Sequence, residues 1–147
     1  MSIEIRAVSA ADQAAWLPLW QGYLDFYQTE IPAATSAQTW QRFLDPAEPM
    51  HAALAWRDGR AVALAHWIFH RSCWTLGDYC YLQDLYVDER LRGAGIGRRM
   101  IEHVYAQARA TGAARVHWLT QEHNSTAMQL YERIAERSGF VQYRKTL

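Results

Sequence analysis

Apolar residues in this chain change period several times, and each change marks an element. Ile3 to Val8 alternates as a short strand does. Trp16, Trp20, Tyr23, Leu24 and Tyr27 then recur at helical spacing, behind Ser9 and Asp12 at capping-box spacing, with Asp where Glu or Gln is usual. Pro18 inside this run predicts a kink or an irregular first part. Residues 28 to 35 read as a loop. Thr35 or Ser36 is placed to cap a short helix that carries Trp40, Phe43 and Leu44 and stops near Pro46.

His51 to Trp56 and Arg60 to His70 are strand-like and joined at Asp58-Gly59, a hairpin signal. A loop from Arg71 to Gly77 leads to an apolar strand, Tyr79 to Val87. A glycine-rich turn follows, then an amphipathic helix from Ile96 to Ala110 that ends near Gly112. Arg115 to Thr120 reads as a strand, Asn124 to about Arg137 as a helix, and Phe140 to Arg144 as a last strand. The order is β-α-α-β-β-β-α-β-α-β. Antiparallel hairpins in the front half and β-α-β units in the back predict an α/β (α+β) fold, with a mixed, mostly antiparallel sheet flanked by helices. No repeat, low-complexity stretch or linker divides residues 1 to 147, so one domain is expected.

Composition narrows the function. The chain has 15 basic and 15 acidic residues, without the basic excess that nucleic acid or a membrane surface would attract. No apolar run approaches the ~18 residues of a membrane span. The opening residues lack the basic, then apolar, then small pattern of a secretory leader, so the expected compartment is cytoplasmic. Cys73 and Cys80 match neither a disulfide framework nor a metal spacing. His66 and His70 alternate on one strand face without further ligands, so no metal is expected.

The most informative stretch is Arg92-Gly93-Ala94-Gly95-Ile96-Gly97, between a strand and a helix. Glycines let the backbone approach a ligand without Cβ atoms in the way. The first turn of the helix offers unpaired N–H groups and a partial positive charge. Together these form a cradle for an anion, most often phosphate. The dinucleotide pattern Gly-x-Gly-x-x-Gly with a carboxylate some 20 positions on is not met, and the Gly-Lys-Ser/Thr of a triphosphate loop is absent. A tight structural turn is the plain alternative.

About 30 residues beyond the turn come Asn124, Ala127 and Tyr131, then Gly139-Phe140. With Leu85-Tyr86-Val87 and Arg92-x-x-Gly95-x-Gly97, this resembles the GNAT superfamily of acetyl-CoA-dependent N-acetyltransferases, specifically over residues 78 to 144. The strings YLQDLYVDERLRGAGIG, VHWLTQEHNSTAMQLYERIAERSGF and VQYRK are similar to one subgroup, which includes a histone/polyamine acetyltransferase and bacterial small-amine acetyltransferases. The resemblance implies that Arg92, Gly93, Ala94, Gly95, Ile96 and Gly97 bind the coenzyme A pyrophosphate. It also implies that main-chain groups of Leu85, Tyr86 and Val87 pair with the pantetheine arm. Arg98 is a further candidate for a phosphate contact, as is Arg99; an ordinary solvated pair is the alternative.

Asn124, Ala127 and Tyr131 share one helix face. Asn124 is also placed to cap that helix. Ala127 is small enough for the coenzyme to approach. Tyr131 corresponds to the family tyrosine aimed at the thioester sulfur, where a phenol can donate a proton to the leaving thiolate; a core tyrosine is the alternative. Related polyamine acetyltransferases carry Glu where this chain has Gln83, which cannot accept a proton at neutral pH. The base is left open among Tyr81, Asp84 and Glu122, with strand alternation placing Asp84 on the opposite face from Gln83 and Tyr81.

The front half is expected to build the substrate pocket, with Tyr27, Glu30 and Trp74 as candidates and Tyr79 also available. Aromatic walls and one carboxylate suit a small cationic amine. The resulting expectation is transfer of acetyl from acetyl-CoA to the primary amine of a small molecule, an amino acid, polyamine or similar, by direct attack in a ternary complex. A protein lysine substrate, a non-catalytic acyl-CoA-binding module and an NAD-binding domain are the competing readings. Homodimers are common in this family, and the apolar helices and edge strands are compatible with one.

Overall fold

The computed structural model describes residues 2–147. Five strands form one sheet in the order β1-β2-β3-β4-β5. They are β1 (Glu4–Ala7), β2 (Met50–Arg57), β3 (Arg60–His70), β4 (Tyr79–Val87) and β5 (Arg115–His117). The first four run antiparallel, and β4 pairs with β5 in parallel. Helices α1 (Gln13–Phe26) and α2 (Ala33–Leu44) join β1 to β2; α3 (Ile96–Ala110) and α4 (Ser125–Ile134) flank β5 in sequence. The mixed, mostly antiparallel architecture is the one expected.

The sheet is covered on both faces. Trp16, Leu19, Trp20 and Leu24 of α1 and Trp40 of α2 bury against Leu54 and Leu64. On the other face Ala53, Ala55, Ala63 and Ala65 present only methyl groups, so α3 fits close and fills the space with Met100, Ile101 and Val104. Each such buried aliphatic side chain contributes about 1.5–3 kcal/mol.

Several boundaries differ from the sequence reading. An irregular first part appears as a 3-10 turn, Ala10–Asp12, and α1 then continues through Pro18. At its start the Ser9 N–H donates to Asp12 Oδ2 at 2.8 Å. Helix α2 begins earlier, at Ala33, with Pro32 in the cap position; the Ser36 hydroxyl instead accepts from Trp20 Nε1 at 3.0 Å. Strand β5 ends at His117 rather than Thr120, and α4 ends at Ile134.

The last expected strand, Phe140 to Arg144, does not form, and Phe140, Val141 and Tyr143 are 84%, 78% and 93% exposed. A five-residue alternating segment gains nothing from its own pattern until a neighbouring edge supplies the ladder. Here none does.

Candidate active site

The glycine-rich turn is built for its position. Gly93 and Gly95 have φ of +87° and +80°, a region that costs other L-residues about 1–2 kcal/mol. Gly97 has no such requirement: a Cβ there would meet only Val87 Cγ2, at 3.9 Å. Helix α3 opens with Arg99 N–H bonded to the Gly95 carbonyl at 3.2 Å, so the amides of Ile96, Gly97 and Arg98 have no carbonyl one turn back. The turn thus presents free amides at the start of α3, with Ala94 exposed between the first two glycines.

The candidate arginines point elsewhere. Arg92 lies over the rings of Phe26 and Tyr86, at 4.9 and 5.6 Å, with Nε donating to the Val87 carbonyl at 3.3 Å. Arg98 pairs with Glu102 at 2.9 Å, one turn along the helix. Arg99 reaches back to the Ile3 carbonyl at 2.9 Å.

The parallel pairing of β4 and β5 covers only Tyr79–Tyr81 against Arg115–His117. Beyond it the two chains part. A cleft opens there, lined by Tyr23, Tyr27, Gln83, Leu85, Trp118, Thr120 and Tyr131 among others. It runs from the sheet to α4 and places Leu85 and the β4 edge opposite Tyr131. In α4 Tyr131 stacks edge-on against Trp118, and burial, with Tyr27 close by, pushes its phenol above the usual value. Asn124 stands at the cap position but does not cap: its side-chain amide reaches Thr120 Oγ1 at 3.5 Å instead. Ala127 is half-buried on the same helix.

A bulge in β4 overturns one expectation. Asp84 lies opposite His66 and Leu82 opposite Trp67, so Gln83 has no partner residue on β3. One extra residue resets the alternation. Leu82 and Leu85 both face α3, while Asp84 and Tyr86 face α1. Asp84 thus joins Tyr81 on one face instead of opposing it, and each acts electrostatically on Tyr23. Burial, together with the nearby Asp84 carboxylate, pushes the Tyr23 phenol strongly up. The Tyr81 phenol is raised by burial and by Asp84. Glu122, the other candidate base, is exposed in the turn before α4.

Of the substrate candidates, Tyr27 lines the cleft. Glu30 borders a shallow surface depression with Asp25, Gln28 and Thr29. Trp74 is 82% exposed on the loop before β4 and lines neither. Sequence reasoning missed Tyr23 and Trp118, both of which line the cleft. Tyr23 had a signal, since it lies one turn before Tyr27, the residue that follows α1, but as a core aromatic it had nothing to set it apart. Among the described residues, no group of three or more His, Cys, Asp or Glu is placed to hold a metal, and no helix is long and apolar enough to cross a membrane.

Comparison with known proteins shows the class to which this fold and cleft belong. The chain belongs to the acetyltransferase (GNAT) family, whose model matches residues 15–135. It is 36% identical over 145 residues to the D-amino-acid N-acetyltransferase HPA3 of Saccharomyces cerevisiae, covering 97% of this chain and 90% of that one. An uncharacterized N-acetyltransferase of Bacillus subtilis, YhfO, is 28% identical over 96% of this chain and 95% of its own. The aminoglycoside enzyme AAC(6')-Iy, solved with a coenzyme A bisubstrate analog, shares the fold with a TM-score of 0.87 at 15% identity, covering 100% and 99% of the two chains. The protein is an acetyl-CoA-dependent N-acetyltransferase.

Proposed function

We propose that the protein moves acetyl from acetyl-CoA to the primary amine of a small molecule, with an amino acid favoured, by direct attack in a ternary complex. The observation that carries this reading is the meeting in one cleft of Tyr131 from α4, Tyr23 from α1, Tyr27 just past its end, and the unpaired edge of β4. The relative that acts on D-amino acids supports the amino-acid preference. Gln83 supports it too, because polyamine enzymes of the resembling subgroup carry a glutamate at that position.

Coenzyme A brings an activated thioester, a long amide-bearing arm and a diphosphate. The amides at the start of α3 and the open space above Gly93, Gly95 and Gly97 fit the diphosphate. Backbone N–H bonds to a charged oxygen contribute about 1.5–3 kcal/mol each. Arg92 is placed to turn from the Phe26 ring toward that charge. The β4 edge from Gln83 to Val87, free of β5, offers its N–H and carbonyl groups to the amides of the arm. Asn124 and Ala127 border its path.

The amine arrives as an ammonium and must lose one proton before it attacks. Asp84 is the base, reached through the hydroxyl of Tyr23, whose phenol that carboxylate acts on; Tyr81 shares this face and helps hold the intervening proton path. The nitrogen then forms a bond to the acetyl carbon, the carbon–sulfur bond breaks, and Tyr131 gives its proton to the departing sulfur. The second proton of the amine restores Tyr131, and Asp84 returns the first to water. Tyr27 supplies an aromatic wall for the cationic substrate. Free-thiol release, measured with acetyl-CoA against D- and L-amino acids, polyamines, an aminoglycoside and a histone peptide, tests the reading. Turnover confined to the amino acids is expected. Turnover of the histone peptide alone contradicts it.

A further inference from the structure

Behind the cleft, side chains from three elements form a hydrogen-bonded line. Trp16 on α1 is fully buried, and His66 on β3, at 2% exposure, is the one polar or charged residue buried among those described. Trp16 Nε1 lies 2.9 Å from His66 Nε2, and His66 Nδ1 lies 2.9 Å from Asp84 Oδ2. An indole N–H can only donate. His66 Nε2 therefore accepts, and Nδ1 carries the hydrogen that the carboxylate receives. A doubly protonated imidazole would set N–H against N–H at Trp16. The line has one direction, from Trp16 through His66 to Asp84, and Tyr23, which lines the cleft, lies within electrostatic reach of the same carboxylate.

A polar line through the middle of an apolar layer costs desolvation that three apolar side chains would avoid. Its far end, however, is a carboxylate that acts on Tyr23, a residue of the cleft. The bulge at Gln83 turns that carboxylate toward His66, and the His66 ring is wedged at 4.6 Å from Phe43 and 5.1 Å from Trp20. The imidazole is thus held on both sides of its ring, and its bond to Asp84 Oδ2 fixes that oxygen.

We propose that His66 and Trp16 are positioning residues for proton removal from the amine. Trp16 sets the tautomer of His66, and His66 holds one carboxylate oxygen of Asp84 so that the carboxylate stays aligned with Tyr23. The transfer is then concerted. The ammonium N–H bond breaks as an O–H bond forms on Tyr23, while the original Tyr23 O–H bond breaks as one forms on Asp84. Tyr23 remains a phenol throughout. This inference rests on the reading of the cleft as the amine site.

Two measurements test it. In the first, the imidazole nitrogens of the intact protein are observed by 15N NMR at neutral pH. The hydrogen of His66 is expected on Nδ1, with Nε2 bare; a hydrogen on Nε2 overturns the proposal whatever the activity. The second compares His66→Leu with His66→Asn, whose amide N–H can donate to Asp84 from nearly the place of Nδ1. His66→Leu is expected to lower kcat by about 10²-fold, the cost of a small misplacement, with KM for acetyl-CoA unchanged. His66→Asn is expected to recover most of that loss. If both variants fold and turn over like the parent, the residue positions nothing. If the parent itself releases no thiol with any amine, the reading of the site falls first and this inference with it.

Discussion

The phenol of Tyr131 stands edge-on to the indole of Trp118, with ring centroids 5.3 Å apart and planes at 71°. This contact fixes the ring, and burial keeps the hydroxyl protonated beyond the ordinary tyrosine range. Tyr131→Phe keeps the packing and removes the donor. It is expected to lower kcat by roughly 10²–10⁴, with coenzyme affinity unchanged in a calorimetric titration. A raised value means that the donor form persists as pH climbs. No fall of the parental kcat through ionisation of Tyr131 is therefore expected below pH 10.0, the unperturbed tyrosine value, and a descending limb there that the parent shows and Tyr131→Phe lacks would count against the role.

Gly97 separates ligand from fold better than its neighbours. Gly93 and Gly95 take positive φ, so substitution strains the backbone even without ligand. A Cβ at 97 meets only Val87, at ordinary contact distance. Gly97→Trp should fold with a near-parental melting temperature and lose coenzyme A binding in the same calorimetric assay. Retained binding would move the diphosphate away from this turn.

Gln83 projects from the bulge into the cleft without a cross-strand partner. Gln83→Glu adds a carboxylate where a polycation would bind. It should raise kcat/KM for a polyamine relative to an amino acid by roughly tenfold, equivalent to about 1.4 kcal/mol. A competition assay with both amines reads the ratio directly.

The two thiols should behave differently. Cys73 is exposed and Cys80 is buried, with burial pushing the Cys80 thiol up to about 12. Iodoacetamide should label Cys73 alone in the native protein and both thiols in denaturant, as read by mass spectrometry. Because the folded value lies above the unfolded one, the stability tied to the neutral Cys80 thiol is complete below pH 9.0 and is lost as pH rises toward about 12. Urea midpoints of the parent should fall across that window more steeply than those of Cys80→Ala.

Much of this architecture was legible in local pattern. The amphipathic run from Ile96 to Ala110 marked α3 at its observed bounds, and Ile96, Met100, Ile101, Val104 and Ala108 form its buried face. Asp58-Gly59 marked the β2–β3 turn, where both residues take positive φ, and β4 has the bounds its apolar run suggested. What escaped depended on partners distant in sequence. The bulge at Gln83 exists only as a register against β3, so alternation alone put Asp84 on the wrong face. The Trp16–His66 bond joins residues 50 positions apart, and nothing in either segment announces the other. The unformed strand at 140–144 is the converse case, a local pattern without a neighbour to complete it.

The account stands or falls on where coenzyme A lies, and crystals of the complex address that directly. The diphosphate is expected against the amides of residues 93 to 98, with the arm along the free edge of β4 and the sulfur within hydrogen-bonding reach of the Tyr131 hydroxyl. A diphosphate held at any other surface, or a sulfur remote from Tyr131, would contradict it.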